Sequence, residues 1–195
     1  MNKSININGS LIDLSSPLVM GILNVTPDSF FKNSRKQSEK DIINRCRQIM
    51  DEGGSIIDLG AQSTTPTSKL LTAAEEAERL IPALKIIRRE FPKVIVSVDT
   101  FYADVAKQAV EEFGANIVND VSGGQIDDQM FPVIASLNVP YILMHMRGVP
   151  QTMQSMTDYD DFIQDILYYF SERKAKLNLL GVNDAEHCFL CRKKR

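Results

Sequence analysis

The stretch MGILNVTPDSF, residues 20–30, begins as an apolar strand and turns polar within a few residues. Its first half belongs to the run LVMGILNV, residues 18–25, which is almost free of polar side chains, as is typical of a parallel strand covered on both faces. Its second half contains Asn24, Asp28 and Ser29. The abrupt change predicts a buried strand whose carboxyl end faces a polar site.

Four further segments repeat this pattern, and segments of helical period separate them. Each is an apolar run of strand length with polar residues at its end: SIIDLGA (55–61), VIVSVDT (94–100), NIVNDV (116–121) and YILMHM (141–146). Alternating strands and helices predict an α/β fold with a parallel sheet, either open and doubly wound or closed into a barrel. Polar residues end all five strands, whereas an open sheet concentrates them at one switch point. The pattern therefore favours a TIM-type (β/α)8 barrel.

The ends of the helices and one turn also have sequence signals. Three pairs have the spacing of an N-cap residue and the acid of a capping box: Ser38 with Asp41, Thr72 with Glu75, and Thr157 with Asp160. Glycines stand where three helices should stop: Gly53, Gly114 and Gly181. The pair Asn8 and Gly9 predicts a small hairpin that acts as a lid within the first 14 residues.

The composition is that of a single globular domain. The chain has 195 residues, 44% of them hydrophobic and 24% charged, which is enough to bury a sizeable core. Its apolar runs have strand length and its N-terminus is polar, so we expect neither a membrane span nor a signal peptide. The net charge of −3 offers no broad cationic field for nucleic acid. A cytoplasmic enzyme or binding domain is the default expectation.

Four strings, in this order and at these strand ends, resemble the dihydropteroate synthases: MGILNVTPDSF (20–30), VSVDTF (96–101), NDVSGG (119–124) and LMHMRGVPQTMQ (143–154). The resemblance covers roughly residues 5–184. It implies a pterin-binding transferase of folate biosynthesis that joins p-aminobenzoate to 6-hydroxymethyl-7,8-dihydropterin pyrophosphate and releases pyrophosphate. It also implies Mg²⁺ as the cofactor, a homodimer, and membership of the family that sulfonamides target.

By this resemblance Asn24, Asp99 and Asn119 are the catalytic residues. Asn24 would be the ligand of Mg²⁺ and of the diphosphate, because a hard cation takes oxygen ligands such as an amide carbonyl. Asp99 and Asn119 would pair with the aminopyrimidine edge of the pterin. Cleaving the C–O bond builds negative charge on the departing diphosphate and positive charge on the pterin methylene. Catalysis is then mostly positioning and electrostatic stabilisation.

Four further residues are implied to bind substrate. Thr64 would donate to the diphosphate, and Met144 would pack on the pterin ring. Phe30 and Pro66, on the loops after the first two strands, would flank p-aminobenzoate. Thr65 stands where the family usually has an arginine, and one hydroxyl in place of a charged, planar fork predicts weaker binding of the leaving group.

For three other polar residues near strand ends, a structural role competes with a functional one. We expect Asp58 to be a structural carboxylate beneath the loop that follows the second strand. Asp120 and His145 are as readily structural as functional, because a histidine at a strand end is often a hydrogen-bonded wall residue.

The end of the chain departs from the family. We expect residues 1–184 to form an incomplete pterin-binding barrel domain of about five to six βα units. The remainder, AEHCFLCRKKR (185–195), has no strand alternation and ends in a basic run, which predicts a non-homologous tail. Our hypothesis is that the chain is a frameshifted or prematurely ended gene product. By the family resemblance it would then lack a second pterin-binding Asp, a Lys that contacts both substrates, and an Arg and a His of the last strand. We expect such a chain to be inactive or impaired, and poorly soluble because of unpaired strand edges.

Two alternative functions remain open. A pterin-binding methyltransferase domain uses a similar barrel with similar Asp and Asn contacts, although the loop TPDSF (26–30) better suits a diphosphate leaving group. A non-catalytic pterin-binding fragment is the other alternative. All three hypotheses predict small-molecule ligands, and none predicts a nucleic acid or a membrane as partner.

Overall fold

Eight strands and five helices occupy the part of the chain that the computed structural model describes, which is residues 4–26, 35–62, 70–150, 152–153, 155–182 and 187–190; of 35–38 and 187–190 only the backbone is described. In chain order they are β1 (Ser4–Ile7), β2 (Ser10–Asp13), β3 (Met20–Asn24), α1 (Arg35–Asp51), β4 (Ile56–Gly60), α2 (Ala73–Glu90), β5 (Ile95–Asp99), α3 (Ala103–Glu111), β6 (Ile117–Asp120), α4 (Met130–Leu137), β7 (Tyr141–Met144), α5 (Phe162–Leu179) and β8 (His187–Leu190).

Six of the strands form one parallel sheet in the order β3-β4-β5-β6-β7-β8. Any two of these six strands that follow one another in the sequence are separated by a helix. The order of the strands in the sheet equals their order in the chain. A doubly wound sheet would reverse its strand order at a switch point, and no reversal occurs among the described strands. The predicted α/β fold is confirmed, as an incomplete TIM-type barrel.

The predicted tail contains one strand, which the sequence pattern did not indicate. Residues His187–Leu190 form β8, which pairs in parallel with β7 in the register Tyr141↔His187 to Met144↔Leu190. Alternation of polar and apolar residues is typical of strands with one solvated face, and a parallel strand of an α/β sheet need not show it. The missing alternation in HCFL was therefore no argument against a strand. That residues 185–195 are non-homologous to the family stays a prediction.

Alternation of side chains along the strands divides the sheet into two faces. One face packs on the helices through fully buried residues, among them Leu23, Ile57, Val96, Val118 and Leu143. On the opposite face, which we call the inner face, the amino ends of the strands contribute a separate apolar cluster: Met20, Ile56, Ile95, Ile117 and Ile142. The predicted hairpin is confirmed as β1 and β2, with Asn8 at φ 51° and Gly9 at φ 83° in the turn. Its Ile5, Ile7 and Ile12 cover this cluster at the amino ends of the strands.

The helix ends agree only partly with the sequence signals. Thr72 and Glu75 form the predicted capping box at the start of α2, in which Thr72 N–H donates to Glu75 Oε2 at 2.8 Å. The other two N-cap predictions were wrong, because α1 begins at Arg35, ahead of Ser38, and α5 is capped by Asp161. The three glycines predicted to end helices have φ between 67° and 93°. Of the helices described, none combines the length and apolarity needed to cross a membrane.

Candidate functional site

Four of the predicted site residues lie at the carboxyl ends of the strands and on the inner face. Asn24 ends β3, Asp99 ends β5 and Met144 ends β7. Asn119 in β6 is the register partner of Asp99, so the two side chains leave the sheet on the same side. Asn119 and Met144 are buried, Asp99 is half-buried and Asn24 is exposed. The structure therefore brings the three predicted catalytic residues to one edge of one face.

The loops expected to carry the other contacts are outside the described residues. Phe30 belongs to one of them, and Thr64, Thr65 and Pro66 belong to the other, so their predicted roles stay predictions. The chain on either side of the second loop is described: Gln62 is buried, and its Oε1 accepts from Leu71 N–H at 2.9 Å. This hydrogen bond holds Gln62 close to Leu71.

Gly60 creates the space in which two of the site oxygens meet. A Cβ atom at Gly60 would lie 3.0 Å from Asn24 Oδ1 and 3.3 Å from Asp99 Oδ2. Both oxygens therefore lean over the end of β4 from the neighbouring strands. Any side chain here would force the neighbours to shift, so the bare backbone is part of the site geometry.

Asp58 belongs to the same group, although the sequence analysis assigned it to loop support. Asn119 Nδ2 donates to Asp58 Oδ2 at 3.1 Å, across the inner face. The signal that could have found it is its spacing, since Asp58 is two residues before Gly60 and so faces the same side of β4. Asp58 is 6% exposed, and its register partner on β5 is the fully buried Ser97.

Three polar atoms of this group are buried without a hydrogen-bond partner anywhere in the described chain: Asp58 Oδ1, Ser97 Oγ and Asn119 Oδ1. Burial raises the pKa of Asp58. The nearby Ser97 hydroxyl, although it meets no hydrogen-bond geometry with the carboxylate, and the Asn119 amide offset part of that rise. Buried polar groups in folded proteins are nearly always paired, so these unpaired atoms single out this group as a candidate ligand-binding site.

Asp120 faces the helices instead, and its uncertain role becomes clear. It is completely buried, and its carboxylate accepts from Ser122 N–H at 2.7 Å, Gly124 N–H at 2.8 Å and Tyr141 O–H at 2.6 Å. Burial raises the pKa of Asp120, while these donors partly lower it. Gly123 and Gly124 have φ of 60° and 74°, so the turn around the carboxylate uses left-handed backbone. Asp120 shapes the loop after β6 and does not line the inner face.

A model of the family described as "Pterin binding enzyme" matches residues 20–189. The chain belongs to the pterin-binding enzyme family. The curated "Folate synthesis bifunctional protein, mitochondrial" of Pisum sativum is 44% identical over 188 residues, which are 93% of this chain and 36% of that protein.

Solved structures of dihydropteroate synthases share the fold. The Yersinia pestis enzyme in a sulfonamide drug complex gives a TM-score of 0.83 at 32% identity, and the match covers 95% of this chain and 66% of that one. The Xanthomonas albilineans enzyme with 4-aminobenzoic acid gives 0.82 at 28% identity, covering 97% and 66%. The chain thus spans about a third of the curated relative and just under two thirds of these enzymes.

His145 of this pterin-binding enzyme packs away from the predicted site. Its ring lies against Tyr159, Tyr169 and Phe170, with centroid distances of 6.0, 4.6 and 6.3 Å. Burial lowers the pKa of His145, and the positive charges of Arg173 and Arg147 lower it further. The neutral imidazole is therefore part of the wall between β7 and α5. No cluster of three or more His, Cys, Asp or Glu side chains suited to a metal occurs in the described residues.

Two residues of α5 hold the loops after β6 and β7 together, and sequence reasoning missed both. The Tyr169 hydroxyl lies 3.0 Å from Met144 O and 3.3 Å from Ser122 O. Arg173 Nε donates to Gly123 O at 3.0 Å, and its guanidinium carbon lies 3.3 Å from the centroid of the Tyr169 ring. The helix thereby fixes the position of Met144 relative to the strand that carries Asn119.

Glu76, in the first turn of α2, is a second buried carboxyl behind the sheet. It is fully buried, and neither of its oxygens has a hydrogen-bond partner among the described residues. Burial raises the pKa of Glu76 to about 7, and the charge of Asp120 adds to the rise. The nearby Thr100 hydroxyl partly lowers this pKa, although it meets no hydrogen-bond geometry with the carboxylate. Glu76 is thus mostly protonated below neutral pH.

Proposed function

We propose that the chain carries the pterin- and diphosphate-binding part of a dihydropteroate synthase of folate biosynthesis. In this reaction the amine nitrogen of p-aminobenzoate bonds to the methylene carbon of 6-hydroxymethyl-7,8-dihydropterin pyrophosphate. The C–O bond to the diphosphate breaks, pyrophosphate leaves and the amine releases a proton. The observation that carries the proposal is the convergence of Asn24 and Asp99 over Gly60, with Asn119 beside Asp99 in register on the same inner face.

Asp99 and Asn119 suit the pterin part of the substrate. Positive charge develops on the pterin methylene as the C–O bond breaks, and a carboxylate that is already in place stabilises it without reorganisation. The half-buried Asp99 and the buried Asn119 stand side by side in register, so they can pair with adjacent polar atoms of a planar ring. Met144, at the end of β7, offers an apolar surface on which such a ring can stack.

Asn24 suits the diphosphate and Mg²⁺. Its Oδ1 lies beside Asp99 Oδ2 over the end of β4, so the donor set is hard oxygen, which this cation prefers. Mg²⁺ usually keeps several waters and substrate phosphate oxygens, so one or two protein oxygens are enough for it. When bound, Mg²⁺ neutralises negative charge on the leaving diphosphate. Asn24 is exposed at the strand end, which leaves room for these other ligands.

The proposal extends to the partners and the cellular location. The substrates are two small molecules, the assembly is a homodimer as the family resemblance implies, and the expectation of a cytoplasmic location comes from the composition. The relative solved with 4-aminobenzoic acid and the one solved with a sulfonamide drug support p-aminobenzoate as the second substrate. A sulfonamide is then expected to compete with p-aminobenzoate.

Calorimetric titration tests the proposal. The 195-residue chain should bind 6-hydroxymethylpterin and its pyrophosphate ester, and Mg²⁺ should strengthen binding of the ester only. Asn24→Ala should weaken binding of the ester by about tenfold, or about 1.4 kcal/mol, and leave binding of the pterin unchanged. Asn178→Ala, an exposed position on α5, is the matched control.

The outcomes separate the synthase from the two other hypotheses. Mg²⁺-dependent binding of the ester supports the synthase. Binding of the pterin with no gain from the diphosphate would instead favour a methyltransferase domain or a non-catalytic fragment. Binding of neither compound would contradict all three hypotheses.

A further inference from the structure

The buried pair Asp58 and Asn119 has a geometry that goes beyond the roles assigned so far. We infer that Asp58 is a positioning residue of the pterin site: it fixes the Asn119 amide so that Asn119 Oδ1 faces the ligand as an acceptor. With Ser97 it adds a lower tier of polar atoms that selects ligands presenting N–H groups. This inference rests on the proposed pterin-binding function and names the residue that sets its specificity.

The placement of the three side chains follows from the strand register. Asp58 on β4 is paired with Ser97 on β5, and Asn119 on β6 is paired with Asp99 two residues further along β5. All four therefore point to the inner face, with Asp58 and Ser97 one tier closer to the amino ends of the strands. Still closer to the amino ends of the strands lies the apolar cluster of the inner face, which the hairpin of β1 and β2 covers. The lower tier is thus the last polar layer before an apolar floor.

The carboxylate decides which way the Asn119 amide points. An ionised carboxylate can only accept hydrogen bonds, whereas an amide has a donor end and an acceptor end. Asp58 Oδ2 lies 3.1 Å from Asn119 Nδ2, which is the donor end. The acceptor end, Asn119 Oδ1, is consequently turned away from Asp58, and it has no partner among the described residues.

The unpaired atoms describe the ligand that fits. Asp58 Oδ1 and Asn119 Oδ1 are acceptors, and Ser97 Oγ can accept or donate. Their unmet hydrogen bonds are costly in a buried place, so a ligand with adjacent N–H donors gains most here. The 2-aminopyrimidin-4-one edge of a pterin has such donors. A lumazine, which has an oxo group in place of the 2-amino group, would set an acceptor against acceptors.

Replacing Asp58 by asparagine should abolish this selection. An asparagine at position 58 can donate as well as accept, so the Asn119 amide becomes free to turn either end towards the ligand. The volume of the side chain hardly changes, and the inner face keeps its packing. Asp104→Asn, on the exposed side of α3, is the matched control for loss of one negative charge.

The experiment is calorimetric titration of the 195-residue chain with 6-hydroxymethylpterin and with 6-hydroxymethyllumazine. The wild-type chain and Asp104→Asn should prefer the pterin by about 100-fold or more. In Asp58→Asn the affinity for the pterin should fall by about tenfold, and the preference should fall below about tenfold. Ser97→Ala should lose affinity while keeping the preference, because it leaves the hydrogen bond between Asp58 and Asn119 intact.

The results of this titration bear separately on the proposed function and on the role of Asp58. A wild-type chain that binds neither compound overturns the proposed function and this inference together. If the wild-type chain binds the pterin and Asp58→Asn keeps the full preference, the inference fails while the proposed function stands. Should Asp58→Asn not fold, nuclear magnetic resonance of the wild-type chain decides. The side-chain N–H₂ signals of Asn119 must keep their protection from exchange when the pterin binds, and loss of that protection overturns the inference.

Discussion

Asn119 and Asp120 are neighbours in β6 and both are buried, yet their hydrogen-bonding environments are opposite. Asp120, on the face towards the helices, receives hydrogen bonds from two backbone N–H groups and a tyrosine hydroxyl. Asn119, on the inner face, makes one hydrogen bond to Asp58 and keeps a buried oxygen unpaired within the described chain. The difference teaches that, within β6, the satisfied carboxylate belongs to the scaffold and the unsatisfied amide oxygen belongs to the site.

The largest loss of stability is expected from replacing Asp120, whose carboxylate has all its hydrogen bonds made by protein groups. Asp120→Ala leaves the donors of Ser122, Gly124 and Tyr141 buried without an acceptor, and should lower the free energy of unfolding by about 4 kcal/mol. Asn119→Ala should cost only about 1 kcal/mol, although it should abolish pterin binding. Chemical denaturation measures both. Equal losses of stability would contradict the division between scaffold and site.

Glu76 is an exception to this division, because its carboxyl is unpaired within the described chain and yet lies on the scaffold side. Its pKa of about 7, against 4.5 for an ordinary glutamic acid, means that the folded chain binds this proton more tightly than the unfolded chain. The resulting stability is complete below pH 4.5 and is lost as the pH rises through 7. Glu76→Gln cannot ionise, so at pH 8 it should be more stable than the wild type by up to about 3 kcal/mol.

Denaturation of both chains between pH 5 and 8 checks the prediction for Glu76. The difference in stability between the variant and the wild type should grow with pH and level off above the pKa. Exposed Glu78→Gln on the same helix is the control, and it should show no such trend. A flat difference would mean that Glu76 has a polar partner after all.

The smallest effect is expected where scaffold and site meet. Tyr169→Phe removes the hydroxyl that lies between Met144 O and Ser122 O, and should cost about 1 kcal/mol. Tyr168→Phe, at a side chain 66% exposed, should stay within about 0.5 kcal/mol of the wild type. Pterin affinity should fall in the first variant alone, because Met144 loses a constraint. Identical results for the two tyrosines would remove α5 from the support of the site.

The sequence was enough to predict the strands β3 to β7 and the edge at which Asn24, Asp99 and Asn119 meet. Runs of buried strand residues and their polar ends are local signals, and parallel pairing brings those ends together without further information. The face of the sheet on which a side chain lies can also be predicted, because it follows from even or odd spacing along the strand. Even spacing along β4 links Asp58 to Gly60, and odd spacing along β6 separates Asp120 from Asn119.

Features that depend on distant contacts could not be predicted in this way. Thr157 and Asp161 are both acceptable N-cap residues, and only the packing of α5 against β7 decides between them. The tyrosine that joins two loops is 47 residues from Ser122 in the chain, so no local pattern announces it. The strand at His187–Leu190 likewise depends on the free edge of β7, to which it pairs.

At Gly60 the addition of a single carbon atom is enough to disturb the geometry of this site. One methyl group there would displace the oxygens of Asn24 and Asp99 by a few tenths of an ångström, while the strand around it could still form. Selection for the reaction should therefore forbid alanine at this position even where selection for folding tolerates it. A natural variant of this chain without this glycine is therefore expected to keep its fold and to lose its ligand binding.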